Sequence, residues 1–102
     1  MSNIQASRGA LIARILEGDA STPQVQRRAA FDNSGLPEPL RTLVDKVARS
    51  ARSVLDEDFA AARASGLSED QLFELVVCAA VGQAGRQYDA AMAALDAATQ
   101  KA

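Results

Sequence analysis

The stretch from Gly66 to Leu95 reads GLSEDQLFELVVCAAVGQAGRQYDAAMAAL, and it predicts a turn followed by one long helix. Gly66 is a helix-ending glycine, and Ser68 with Gln71 matches the capping box that opens a helix. From Leu72 onward the segment is rich in alanine and apolar residues and contains no proline. We therefore expect this helix to be the element against which the rest of the chain packs.

Apolar residues lie on two sides of this predicted helix. One face recurs at steps of three and four residues and contains Leu72, Leu75, Val76, Ala79 and Ala80. The second face steps by four residues through Phe73, Val77 and Val81, and the apolar pattern resumes after Gly85. A helix that is apolar on two sides is normally buried on two sides. In so short a chain, we expect Phe73, Val77 and Val81 to form a subunit interface and the protein to be a homo-oligomer.

The composition is that of one folded domain that is rich in helix. The chain has 102 residues, of which 48% are hydrophobic and 22 are alanine. Alanine favours helices but buries little apolar area, so such a core gains from a second subunit. A net charge of −2 argues against a nucleic-acid or anionic-membrane partner. The lack of a long apolar run and of a signal-peptide pattern predicts a cytoplasmic protein.

Two short helices are predicted in the N-terminal third of the chain. Apolar spacing predicts the first over residues 3–17. The sequence Ser21-Thr22-Pro23 predicts a hydroxyl-capped start for the second, which runs to about Asn33. We assign residues 1–35 to this N-terminal helical pair and residues 36–102 to the remaining core of a single domain spanning the whole chain.

Two more helices are predicted before the long one, so the expected fold is all-α with about five helices. Apolar spacing from Leu40 to Leu55 predicts an amphipathic third helix, and a fourth ends at Gly66. Two interpretations of their boundary stay open. In the first, Ser53 caps a new helix whose first turn contains Asp58. In the second, the third helix continues and places Asp58 on its buried side, with a raised pKa, as a candidate acid or base.

Catalysis that needs histidine or paired cysteines is excluded. The chain has no histidine and one cysteine, so histidine triads, CxxC pairs and histidine or cysteine zinc sites are absent. Asp70 and Glu74 are four residues apart but fit the exposed side of a helix start, and we predict no metal and no cofactor. Cys78 lies in an apolar run that suits a buried, inert thiol. Arg27 and Arg28 fit either an anion site or a solvated helix face.

A turn and its flanking segments carry a likeness to a known family. The residues are Ala62, Gly66-Leu67-Ser68, Glu69-Asp70-Gln71-Leu72, Glu74-Leu75 and, in the tail, Arg86-Gln87-Tyr88-Asp89-Ala90-Ala91. With them, the chain from about residue 40 to residue 95 resembles the alkylhydroperoxidase-like, carboxymuconolactone decarboxylase family. The resemblance covers a little over half of the chain. It implies an all-helical, usually oligomeric protein with helices around a small pocket.

The residues of that family's redox chemistry are missing here. Its redox branch has Cys-x-x-Cys followed four residues later by histidine, and these positions fall on Ala51, Val54 and Asp58. The decarboxylase branch also relies on a histidine near the last of them. The resemblance therefore does not carry over thiol peroxidase or disulfide-reductase activity, and it leaves other enzymatic activity open.

Two functional hypotheses follow. The first is a non-redox relative of the family, a homo-oligomer that binds a partner or a small apolar or acidic ligand. The alternative is a carboxymuconolactone decarboxylase-like enzyme that transfers a proton through Asp58, with Arg52 or Arg86 holding a substrate carboxylate. Gly82 and Gly85 either kink the long helix or allow close backbone contact. A kink would point Arg86 and Tyr88 into a pocket or an interface, and both are candidate ligand-binding residues.

Overall fold

The protein is all-helical over the part that its computed structural model describes, residues 2–101. The elements in chain order are α1 (Ser2–Glu17), α2 (Gln24–Asp32), α3 (Leu40–Arg49), a 3-10 turn (Ala51–Ser53), α4 (Asp56–Ala64) and α5 (Glu69–Lys101). The predicted all-α class with about five helices is confirmed. Over these residues, none of the helices has the length and hydropathy that crossing a membrane requires.

The long helix α5 organises the packing. Its 33 residues span about 50 Å, close to the 54 Å long axis of the molecule. Helices α2 and α3 make the most extensive contacts with it, and α1 and α4 make smaller ones. The buried residues come from all five helices and the α2–α3 connection: Leu16, Ala30, Leu36, Leu40, Leu43, Val44, Ala62, Leu72, Leu75, Cys78 and Ala79. They form a core against one side of α5.

The turn that opens α5 has the predicted capping interactions. Gly66 takes a φ of +110°, which glycine adopts without a steric penalty, and its N–H donates to the Arg63 carbonyl at 3.0 Å. The Ser68 N–H donates to Gln71 Oε1 at 3.0 Å, and the Gln71 N–H donates to Ser68 Oγ at 3.1 Å. This reciprocal pair is a capping box, which confirms the predicted helix start.

Gly82 allows α2 to lie very close to α5. A Cβ atom built on Gly82 falls 2.8 Å from the carbonyl carbon of Phe31. One turn later, Arg86 Nη1 donates to the Phe31 carbonyl oxygen at 2.7 Å, placing a cation at the C-terminal end of α2 where the helix dipole favours it. Helix α5 runs through Gly82 and Gly85 without interruption. Of the two roles considered for Gly82, close backbone contact is therefore the correct one.

Helix α3 is shorter than its apolar pattern predicts. It ends at Arg49 rather than near Leu55, because Ser50 leaves the helical conformation (φ −155°, ψ 59°). The Ser50 carbonyl accepts the Ser53 N–H at 2.8 Å and the Ser53 hydroxyl at 2.7 Å. Such local hydrogen bonds from serine compete with helix continuation. Ser53 therefore stabilises the turn and does not cap α4, whose N-cap residue is Leu55.

We expect Gly82→Ala to lower the free energy of unfolding by about 1–3 kcal/mol, the usual cost of overpacking, because the new methyl group meets backbone. Gly85→Ala is the matched control. Its methyl group meets only the end of the Arg8 side chain, with Nη2 at 2.9 Å, and alanine gains up to about 1 kcal/mol over glycine in a helix. Urea unfolding, followed by circular dichroism, measures the free energy of unfolding of both variants and of the wild type. Equal stability of G82A and wild type would contradict the close contact.

Candidate functional site

A cleft of about 300 Å³ lies where the α1–α2 connection meets α5. Its lining residues are Arg14, Ile15, Asp19, Ala20, Arg27, Phe73, Glu74 and Val77. Two of the predicted interface residues, Phe73 and Val77, thus form one wall. The other walls contain two arginines and two carboxylates, so the electrostatics of the cleft depend on how these charges are paired.

Glu74 fastens the segment before α2 to α5. Its carboxylate accepts the Ser21 N–H at 2.9 Å, the Thr22 N–H at 2.7 Å and the Thr22 hydroxyl. Burial raises the pKa of Glu74, but these hydrogen bonds and the charge of Arg27 outweigh it, so the pKa lies below its usual range.

Two predictions from the sequence are wrong at this contact. Glu74 is partly buried rather than exposed, and the Thr22 hydroxyl does not cap α2, whose N-cap residue is Pro23.

Arg27 is a buried cation, only 4% exposed. Its Nε donates to the Thr22 carbonyl at 3.0 Å, and its Nη1 donates to the Ile15 and Gly18 carbonyls at 3.0 and 2.8 Å. These bonds join the end of α1 to the start of α2. The neighbouring Arg28 is exposed. A solvated helix face therefore describes Arg28 alone, and Arg27 holds the backbone of the α1–α2 connection.

Asp58 lies in the first turn of α4. Its carboxylate accepts the Leu55 N–H at 2.8 Å and two hydrogen bonds from Lys46 Nζ, at 2.9 and 3.1 Å. The Leu55 N–H and the Lys46 ammonium lower the pKa of Asp58, against a smaller opposing effect of burial. Because α3 ends before α4 begins, the interpretation that placed Asp58 on the buried side of α3 with a raised pKa is wrong. Asp58 instead stabilises the start of α4 and links it to α3.

The remaining candidate ligand-binding residues have different neighbours. Arg52 is exposed in the 3-10 turn, and Arg86 donates to the C-terminal end of α2. Tyr88 contacts α1, with the Arg8 guanidinium carbon 5.6 Å from its ring centroid. Across residues 2–101, no hydrogen bond or ion pair joins Asp58 to Arg52 or Arg86. A shared ligand site for these residues stays a prediction.

Cys78 is enclosed by the core and is 1% exposed. Burial raises the pKa of its thiol, the charge of Arg27 lowers it, and the charge of Glu74 adds to the rise. A protonated thiol without access to solvent is a poor nucleophile. The prediction that this cysteine is buried is confirmed.

The second apolar side of α5 is exposed along most of its length. We call it the outer face and define it by Phe73, Val77, Val81, Ala84, Tyr88, Ala91, Leu95 and Ala98. Phe73 is 69% exposed and Leu95 is 53% exposed, whereas Val77 and Val81 are partly covered. A second cleft, between α1 and α5, continues this apolar surface onto α1 at Leu11. Contiguous exposed apolar surface of this kind marks interaction sites.

Comparisons of the chain with protein-family models, with curated proteins and with solved structures find no match. Across residues 2–101, no three side chains among cysteine, aspartate and glutamate are grouped as metal ligands. The features that bear on function are therefore the charged cleft, the Asp58–Lys46 pair and the outer face.

We expect Glu74→Gln to lower the free energy of unfolding by about 1–3 kcal/mol at neutral pH, since the amide cannot accept from all three donors. The folded-state pKa of Glu74 lies below the unfolded value, so the unfolded state binds a proton first as the pH falls. The advantage of wild type over E74Q should be complete above the usual glutamate range and should be lost as the pH falls through the folded-state pKa.

Urea unfolding at a series of pH values measures this difference. Glu69→Gln is the matched control, because it changes an exposed carboxylate on the same helix that pairs with Arg63; exposed pairs contribute about 0–1 kcal/mol. A difference between wild type and E74Q that does not change with pH would contradict the role given to the Glu74 carboxylate.

The buried position of Cys78 predicts that its thiol reacts only after the protein opens. A disulfide reagent such as DTNB should label the native protein at least about 1,000-fold more slowly than the urea-unfolded protein, since reaction needs an opening that costs several kcal/mol. The absorbance of the released thiolate reports the rate. Labelling of the native protein at the unfolded rate would contradict the burial of Cys78.

Proposed function

We propose that this protein is a non-redox relative of the alkylhydroperoxidase-like, carboxymuconolactone decarboxylase family that works as a self-associating, partner-binding helical protein. The observation that carries the proposal is the exposed outer face of α5. It presents Phe73, Tyr88 and Leu95 to solvent on a helix that is already apolar on its core side. Burying such a face against another protein surface removes apolar area from water, at about 25 cal/mol per Å².

The family relation is supported by the sequence resemblance between residues 40 and 95. At the positions of the redox residues, Ala51 lies in the 3-10 turn, Val54 lies in the extended link after it, and Asp58 lies in the first turn of α4. Alanine and valine supply no thiol, and Asp58 is paired with Lys46. These features support a relative that does not perform the thiol chemistry.

The alternative function, proton transfer by Asp58, has weaker support. A carboxyl group that exchanges a proton near neutral pH needs a raised pKa, and the pKa of Asp58 is lowered. Its carboxylate also accepts hydrogen bonds from Lys46 and from the backbone of Leu55. A substrate would have to displace Lys46 before it reached the carboxylate.

The non-redox part of the proposal has a direct assay. The purified protein should not reduce a hydroperoxide with a dithiol donor, because the one cysteine is buried and has no partner cysteine. Peroxide reduction that Cys78→Ser abolishes would contradict this part of the proposal and leave the self-association untouched.

We expect Leu95→Glu to weaken self-association by at least about 100-fold in Kd, because a carboxylate buried in an interface without a partner costs several kcal/mol. Val25→Glu is the matched control: Val25 is 81% exposed on α2, away from the outer face. Sedimentation equilibrium measures the dissociation constants, and circular dichroism checks that both variants keep their helices. Wild-type protein that remains monomeric at the concentrations used for NMR spectroscopy would contradict the proposal.

A further inference from the structure

The outer face has a seven-residue repeat that specifies how two copies of α5 fit together; this inference rests on the proposed self-association. One set of positions contains Val77, Ala84, Ala91 and Ala98, and the other contains Val81, Tyr88 and Leu95. Their alternating steps of three and four residues form the apolar seam of a coiled coil. At about 100° per residue, the seam lies on the side of α5 opposite the buried Leu75 and Gly82.

Between Val77 and Leu95 the seam can meet another helix without burying a charge. The positions that flank it from Val77 to Ala98 are Cys78, Ala80, Gly85, Gln87, Met92, Ala94 and Thr99, all of them uncharged. The charged residues of this part of α5 lie elsewhere on the helix: Arg86 donates to the end of α2, and Asp89 pairs with Arg8 of α1. Asp96 follows Asp89 by seven residues, on the same side of the helix. Burying an unpaired ion is costly, so this distribution of charge suits contact from Val77 to Leu95.

We propose that two copies of α5 pair in antiparallel orientation, as a symmetric dimer whose two-fold axis crosses the helices between Ala84 and Tyr88. Centred there, the seam places Ala84 against Tyr88 of the second copy. The next layers outward place Val81 against Ala91 and Val77 against Leu95. The two central layers each join a larger side chain with a smaller one, and the third joins Val77 with Leu95. The layer beyond it places Ala98 against Glu74, whose carboxylate is already bound to Ser21 and Thr22.

Side-chain volume distinguishes this arrangement from a parallel pair. In a parallel pair each residue meets its own copy, so layers of two tyrosines or two leucines alternate with layers of two alanines. Protein interfaces and cores pack at nearly uniform density, and a gap between bulky layers costs free energy in proportion to its volume. The antiparallel pair has layers of nearly equal volume, and it also sets the helix dipoles in opposite directions.

The seam is long enough and open enough for a dimer. From Phe73 to Ala98 the outer face extends about 39 Å and offers roughly 500 Å² per chain, so the pair buries on the order of 1,000 Å², the size of small, transient interfaces. Helix α1 flanks the middle of the seam, where Arg8 binds Gly85 and Asp89 and lies 5.6 Å from the centroid of the Tyr88 ring. Beyond Tyr88, the seam residues Ala91, Leu95 and Ala98 are exposed.

Disulfide cross-linking tests the orientation. In a Cys78→Ser background, single variants Val77→Cys and Leu95→Cys are mixed, oxidised mildly, and the products are identified by mass spectrometry. A disulfide needs Cα atoms within about 7 Å, so the antiparallel dimer should form the mixed 77–95 product at least about tenfold faster than either product that joins like positions. The pair Val81→Cys with Ala91→Cys repeats the test if the first pair impairs folding.

The outcomes separate this inference from the proposed self-association. Rapid cross-linking of each variant to its own copy, without the mixed product, would overturn the antiparallel arrangement and indicate a parallel one. A protein that is dimeric by sedimentation but forms no cross-link between any of these positions would also overturn it, while self-association would stand. A monomeric protein would overturn both.

Discussion

The arrangement of the helices depends on the contact between the end of α2 and Gly82 of α5. Because Gly82 has no side chain, the backbone of Phe31 reaches the surface of α5, and Arg86 donates to the same carbonyl that makes this contact. At the other end of α2, Glu74 accepts the backbone N–H groups that precede the helix. Helix α2 is thus held to α5 at both ends by charge-assisted hydrogen bonds, and Arg27 then joins α1 to this pair.

The charged residues that invited a chemical interpretation mostly hold backbone in place. Arg27 donates to three carbonyls, Glu74 accepts from two N–H groups and a hydroxyl, and Asp58 closes the start of α4 while it pairs with Lys46. Buried or partly buried polar groups are costly unless they are paired in this way. These charged groups therefore stabilise the contacts between elements of the fold.

Small residues on α5 have different consequences on its two sides. Toward the core, Gly82 and Ala79 let α2 and α3 approach closely, so few large side chains are needed to fill the interior. On the outer face, alanines alternate with Val81, Tyr88 and Leu95, and beyond Tyr88 nothing in the described part of the chain covers Ala91, Leu95 or Ala98. A single helix therefore has one side that packs within the chain and another that leaves apolar side chains exposed.

The sequence by itself determined what depends on neighbours within about four residues. The all-α class, the Gly66 turn, the Ser68–Gln71 capping box and the burial of Cys78 follow from local geometry and apolar periodicity, and the structure agrees. The end of α3 stayed open between two interpretations although its cause is local, because apolar spacing conceals the competing hydrogen bonds of a serine turn.

Only the tertiary structure decided the partners of Thr22 and Glu74, which are 52 residues apart in the chain, and those of Arg27 and Arg86. A side chain's hydrogen-bond partner depends on which backbone groups are left unpaired nearby once the helices have packed. The apolar periodicity of the sequence does not predict these partners, because it indicates only which side of a helix is buried.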